Sequence, residues 1–195
     1  MPIHPDKLKI SAGSAFPSLQ LSGLDGATIA IPDAGETVHL QLRRFAGCPV
    51  CNLHLRSFVR RADELTTAGV REVIVFHSTP ESLRVYEPEL PFTIVADPTK
   101  QIYRALGVES TARAVLDPRL LIRLPKIFLS AIRGIVSPPH RIPPMLPTGG
   151  QLGVPADFLI ASDGHVVAAK YGQHAYDQWT VDELLTHHSS PRLAA

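Results

Sequence analysis

The sequence predicts an α/β protein in which a central mixed β-sheet carries helices on both faces. Three observations support this. Glu72-Val73-Ile74-Val75-Phe76-His77 is a continuous β-branched and aromatic run, the pattern of a strand covered on both sides. Pro49 opens a helical pattern in which Leu55, Phe58, Val59, Ala62 and Leu65 share one face, with Gly69 where a chain leaves a helix. The apolar runs ADFLIA and HVVAAKY flank Ser162-Asp163-Gly164, which reads as an antiparallel hairpin.

Taken in order, FPSLQL, ATIAI and TVHLQL read as short strands between residues 16 and 42, the first two joined by an Asp25-Gly26 turn. The helix from Pro49 follows, then the strand ending at His77, a helix, and a strand from Phe92 to Ala96. That strand stops at Asp97-Pro98 and leads into a helix that finishes near Leu106-Gly107. From Glu109 to about Gln151 the character changes: Pro138-Pro139 and Pro143-Pro144 break regular structure, and Gly149-Gly150 closes the segment. After the hairpin, Thr180-Val181-Asp182-Glu183 has capping-box spacing and starts a last helix toward His188. The order is βαβαβα followed by ββα: one domain over 1–188, a 109–151 insertion, and a frayed 189–195 tail.

Bulk composition narrows the function. A chain of 195 residues, 45% hydrophobic and 19% charged, fits one soluble globular domain, and a net charge of +1 makes nucleic acid an unsuitable partner. The opening MPIHPDKLKI lacks the apolar core of a secretory signal, and no run reaches the ~18 uncharged apolar residues of a membrane span. A cytoplasmic protein is expected.

Both cysteines of the chain lie in Arg43-Arg44-Phe45-Ala46-Gly47-Cys48-Pro49-Val50-Cys51. A bridge between positions one helical turn apart closes too small a loop to stabilise the chain much, so such a pair points to reactivity. Cys48 falls at the mouth of the helix, where free N–H groups and the helix dipole favour a thiolate; Cys51 falls one turn inside and is expected to be the less accessible. The pair can cycle between dithiol and disulfide. Two other readings stay open: half of a zinc site with His54 as third ligand, and two inert buried thiols. His187-His188 reads as a helix end with favourable dipole contacts.

Several stretches, in order, resemble the peroxiredoxin-like branch of the alkyl hydroperoxide reductase C and thiol-specific antioxidant family, within the thioredoxin-fold superfamily. They are Ala15-Phe16-Pro17 with LSGLDGATIAI, QLRRFAGCPVC, EVIVFHSTPESL, VADPTKQIYRALGV and VPADFLIASDGHVVAAKYG. The resemblance implies a thioredoxin-like fold and peroxide reduction with Cys48 as nucleophile and Cys51 as resolving cysteine. It implies a thiol reductant of the thioredoxin or glutathione type, and no metal or organic cofactor. It puts Pro155 where thioredoxin-like proteins carry a cis-proline facing the cysteines; the alternative is a trans proline starting an edge strand. His77, ending a strand parallel to the one before Cys48, is a candidate general base or thiolate partner, or else a hydrogen-bonded structural histidine.

The departures matter too. Gln41 and Phe45 stand where such peroxiredoxins carry a proline and a threonine or serine, and the Pro155-Ala156 region replaces their later arginine. Arg43 and Arg44 are candidates to hold the thiolate instead, unless they are solvated surface residues. Pro155 and the missing threonine favour a second reading, a disulfide reductase using the same cysteines on protein or small-molecule disulfides. A third is a non-enzymatic zinc-binding or redox-sensing module. LLIRLPKIFLSAIRGIV in the insertion, whose charged positions are all basic, is expected to form a homodimer interface or an active-site lid in preference to a membrane-surface helix.

Overall fold

The computed structural model describes residues 9–86, 90–108 and 153–190. The expectations for the 109–151 insertion, and for the tail beyond Ser190, lie outside the described residues.

The element order is β1 (Leu19–Ser22), β2 (Thr28–Ile31), β3 (Thr37–Arg43), α1 (Pro49–Val59), α2 (Ala62–Thr67), β4 (Val70–Phe76), α3 (Pro80–Tyr86), β5 (Thr93–Ala96), α4 (Gln101–Ala105), β6 (Ala156–Ile160), β7 (Val166–Tyr171) and α5 (Val181–Ser189). β1 and β2 form a two-stranded ribbon whose turn holds Gly26 at φ +84°, with the Ala27 N–H donating to the Asp25 carboxylate at 3.0 Å. The main sheet has the order β5-β4-β3-β6-β7. β3, β4 and β5 run parallel, while β6 and β7 run antiparallel. This is the mixed α/β sheet the sequence predicts.

Three local outcomes refine the reading. The predicted helix from Pro49 to Gly69 is two helices, because Arg61 leaves the helical region at φ −121° and its N–H closes a tight turn on the Phe58 carbonyl. Gly69 follows with φ +71°, a conformation that glycine adopts without strain. α5 carries the full capping box, in which the Thr180 hydroxyl accepts from Glu183 N and the Glu183 carboxylate accepts from Thr180 N; the helix extends one residue past His188. His188 Nε2 contacts the Ala68 carbonyl at 2.9 Å, and the His187 ring packs 4.8 Å from Trp179, so both histidines serve packing at a helix end. Among the described residues, no helix is long and apolar enough to cross a membrane.

The two faces of β3 differ in chemistry. Val38, Leu40 and Leu42 enter the larger core with the ribbon, β4, β6 and α4. His39, Gln41 and Arg43 alternate with them and point beneath α1 and α5, yet each is 0% exposed. An alternating strand of this kind ordinarily faces water on its polar side; helices cover this one, so its polar side chains must find partners inside.

Candidate active site

β3 ends at Arg43, and the chain turns through Arg44 to Gly47 before α1. Gly47 takes φ +74°, Cys48 N donates to the Phe45 carbonyl at 3.1 Å, and Ala46 N donates to the Ser78 hydroxyl at 2.9 Å, tying this turn to the end of β4. Cys48 is the N-cap of α1 and Pro49 its first helical residue, where a missing N–H costs nothing. Cys51 lies one turn on.

Both cysteines are unbridged. Each is only 1% exposed, so Cys48 is as buried as Cys51, against the expectation that it would be the more accessible. Phe45 and Val50 pack around the pair, and Tyr176 from the β7–α5 connection lies against them. The two thiols titrate in opposite directions. A hydrogen bond from Cys51, opposed by burial, with the Arg44 charge and the N–H groups of Cys51 and Val50 assisting, brings Cys48 down to about 6. The same pairing, together with burial, pushes Cys51 well above the ordinary thiol range.

The two arginines part company. Arg44 is 6% exposed, lies over the Phe45 ring at 5.3 Å, and places Nη1 3.7 Å from Cys48 Sγ. Arg43 makes its contacts elsewhere: as a β3 side chain two positions from Gln41, it shares that residue's face of the strand. Its Nη2 donates to Asp157 Oδ1 and to Gln41 Oε1, both at 2.6 Å, and lies 3.4 Å from His54 Nε2. His39 completes this cluster, with Nδ1 2.8 Å from Glu72 Oε2 and Nε2 3.2 Å from Asp157 Oδ1. Burial disfavours its charge, but Glu72 and Asp157 outweigh that and raise it to about 9, so two cations face two carboxylates. Burial would raise Asp157, but Arg43 and His39 hold it well below the carboxylate range.

His54, the third ligand of the zinc reading, turns its Nε2 toward the Arg43 guanidinium at 3.4 Å, where a second cation would be repelled. Burial and the nearby Arg43 cation lower His54 to about 3, and its ring packs on Phe58 at 4.9 Å. No cluster of three or more His, Cys, Asp or Glu suited to a metal occurs among the described residues.

His77 lies just past the end of β4, beside the strand that leads to Cys48, and its N–H donates to the Arg44 carbonyl at 3.1 Å. Its ring is fully buried between Phe45 and Tyr103, at 6.4 and 5.7 Å, and among the described residues neither ring nitrogen has a hydrogen-bond partner. Burial, with Lys100 and Arg44 nearby, lowers it to about 3 and keeps the imidazole neutral.

The Val154–Pro155 bond is trans; among the described residues the cis bond precedes Pro32. The Pro155 carbonyl accepts from Gly172 N at 2.9 Å, which continues the β6–β7 ladder backward and makes Pro155 the lead-in to β6. Sequence reasoning missed Tyr103, whose hydroxyl reaches the carbonyls of both Arg43 and Val75 at the ends of the two central strands. It also missed Tyr176. The available signals were the YRALGV run for the first and none for the second.

The fold is shared with known proteins. The chain matches the AhpC/TSA family over residues 12–169. A mutant of the peroxiredoxin 6 of Arenicola marina superposes with a TM-score of 0.64 at 15% identity, covering 93% of this chain and 73% of that one. The peroxidoxin BcpB of Mycobacterium tuberculosis gives 0.58 at 12% identity, covering 92% and 95%. A putative thiol:disulfide interchange protein DsbE from Chlorobium tepidum gives 0.52 at 18% identity, covering 93% and 100%. A search of curated proteins by sequence gave no match.

Proposed function

The chain belongs to the AhpC/TSA family, a peroxiredoxin-like group of thiol oxidoreductases, and we propose that it reduces peroxides through Cys48 with Cys51 as the resolving cysteine. The observation that carries this reading is the opposed titration of two thiols one helical turn apart, with Arg44 Nη1 3.7 Å from Cys48 Sγ.

The Cys48 thiolate attacks the terminal oxygen of a hydroperoxide. An S–O bond forms as the O–O bond breaks, and the departing oxygen leaves with the electron pair and takes a proton from water. The products are an alcohol, or water from hydrogen peroxide, and a sulfenic acid on Cys48, whose sulfur has lost two electrons. Cys51 then displaces the hydroxyl: its proton leaves with that group as water, and a Cys48–Cys51 disulfide forms. Cys51 is a poor nucleophile while Cys48 carries its charge. Oxidation of Cys48 removes that charge and with it much of what holds the Cys51 proton. A thiol donor of the thioredoxin or glutathione type returns the pair to the dithiol, and a cytoplasmic setting keeps that donor reduced.

The cover over Cys48 supports a small substrate. At 1% exposure, Cys48 is out of reach of a disulfide on a second folded protein unless Phe45 or Tyr176 moves. The disulfide-reductase reading is favoured by the CPVC spacing itself, which suits exchange as well as resolution. Stopped-flow reaction of the reduced protein with hydrogen peroxide and an organic hydroperoxide separates the two, with Cys48→Ser and Cys51→Ser alongside. The peroxidase reading expects rates far above a free thiol, an internal disulfide in wild type only, and little turnover of insulin disulfides. A free-thiol rate combined with insulin turnover overturns it.

A further inference from the structure

Among the described residues the His77 imidazole has no hydrogen-bond partner, although it is 0% exposed. A buried polar side chain is nearly always satisfied, because an unmade hydrogen bond leaves the desolvation of the group uncompensated. Here two ring nitrogens are in that position on one side chain. The ring is also immobilised: Tyr103 meets it edge-on at 5.7 Å with an interplanar angle of 78°, and Phe45 tilts against it at 6.4 Å. On the Nε2 side stands Gly153, where a Cβ would lie 3.3 Å from the nitrogen, so a glycine there leaves the ring uncrowded by a side chain.

The surroundings tie this ring to the cysteine site. Phe45 packs against Cys48 and Cys51 as well as against His77. The Arg44 carbonyl accepts the His77 N–H, while the Arg44 guanidinium reaches Cys48. A neutral imidazole offers one N–H donor and one lone pair. A hydroperoxide offers the complement, an O–H donor and oxygen acceptors. At position 45, where the related peroxiredoxins carry a hydroxyl, this chain has a phenyl ring with no polar group to offer.

Resting on the peroxidase reading above, we propose that His77 is the substrate-binding residue of this site: its unpaired nitrogens hydrogen-bond the hydroperoxide beside Cys48, taking the place of the hydroxyl that Phe45 lacks. His77 orients the O–O bond and stabilises charge on the departing oxygen by donating a hydrogen bond; the thiolate and its attack are unchanged.

The test uses full-length His77→Leu and His77→Gln. Leucine nearly conserves the volume and removes the unpaired nitrogens, so its thermal stability should equal or exceed that of wild type. The proposal expects the second-order rate with an organic hydroperoxide to fall on the order of 10-fold or more in His77→Leu. His77→Gln, which keeps a donor and an acceptor, recovers part of that loss. Alkylation of Cys48 by iodoacetamide, which reports the thiolate without any peroxide, should not change in either variant. If wild type reacts fast and His77→Leu reacts equally fast, His77 does not bind substrate and the proposal is overturned while the peroxidase reading stands. If alkylation falls in parallel with peroxide reactivity, His77 acts on the thiolate and the proposal is again overturned. A wild type no faster than a free thiol removes the peroxidase reading, and this proposal with it.

Discussion

Arg44→Met is the sharpest perturbation of the thiolate. Methionine keeps an unbranched apolar stem over Phe45 and removes the charge. Arg44 Nη1 is 3.7 Å from Cys48 Sγ, a separation at which two unit charges interact by about 4 kcal/mol at an effective dielectric of about 20. The guanidinium charge is spread over three nitrogens, and its effect on Cys48 ranks behind the Cys51 hydrogen bond and burial. About half that figure, roughly 2 kcal/mol or about 1.5 pKa units, is therefore expected. Cys48 should move from about 6 to about 7.5. The thiolate fraction at neutral pH then drops from about nine-tenths to about a quarter, and the midpoint of the alkylation pH profile rises by the same roughly 1.5 units. At alkaline pH, where both proteins are fully ionised, the variant should match or exceed wild type, because a more basic thiolate is intrinsically more nucleophilic. Ultraviolet absorbance of the thiolate gives the titration midpoint, and iodoacetamide alkylation across the pH range gives the rate. A folded Arg44→Met protein whose midpoint stays at about 6 would refute the electrostatic account of Cys48.

Two further expectations concern the buried cluster beneath α1 and α5. Asp157→Asn removes the carboxylate that Arg43 Nη2 meets at 2.6 Å and His39 Nε2 at 3.2 Å, leaving excess positive charge in a fully buried place. A loss of about 3–5 kcal/mol in urea unfolding is expected, and a loss under 1 kcal/mol would show that water reaches the cluster. His39 supplies a pH dependence of opposite sign to that of Cys48. Its folded value is raised from 6.5 to about 9, so its contribution is complete below 6.5 and is lost as pH rises through about 9. In a Cys48→Ser, Cys51→Ser background, which silences the thiols, the melting temperature should fall across that window. Adding His39→Gln should flatten the decline; an unchanged slope would mean that His39 is not the group responsible.

Much of the fold was legible from local chemistry. The apolar run ending at Phe76, the Asp25-Gly26 and Ser162-Asp163-Gly164 turns, Pro49 at the first position of α1 and Thr180 with Glu183 at the start of α5 all act over a few residues, so spacing alone reveals them. Cys48 at the helix mouth is legible for the same reason. A single helix from Pro49 to Gly69 was the natural reading because the apolar spacing continues smoothly past Arg61. The backbone break there depends on one residue's torsion angles and leaves no mark on the hydrophobic pattern.

The remaining features depend on which surfaces meet. His39, Gln41 and Arg43 read as the wet side of a strand, and only the packing of α1 and α5 makes them a dry, charge-balanced cluster with Glu72 and Asp157. That packing also separates two adjacent arginines, since successive residues at the end of a strand diverge: Arg43 goes to the cluster and Arg44 to the thiolate. The burial of Cys48 under Tyr176, more than 120 residues along the chain, has no local signature, and neither has an imidazole left without a partner between Phe45, Tyr103 and Gly153. By itself the sequence determined the order of strands and helices, the two closely spaced cysteines and the helix end at which Cys48 sits. Tertiary structure alone decided which charges reach the sulfur and which side chains cover it, because burial and Coulomb interaction depend on distances in space and not on spacing along the chain.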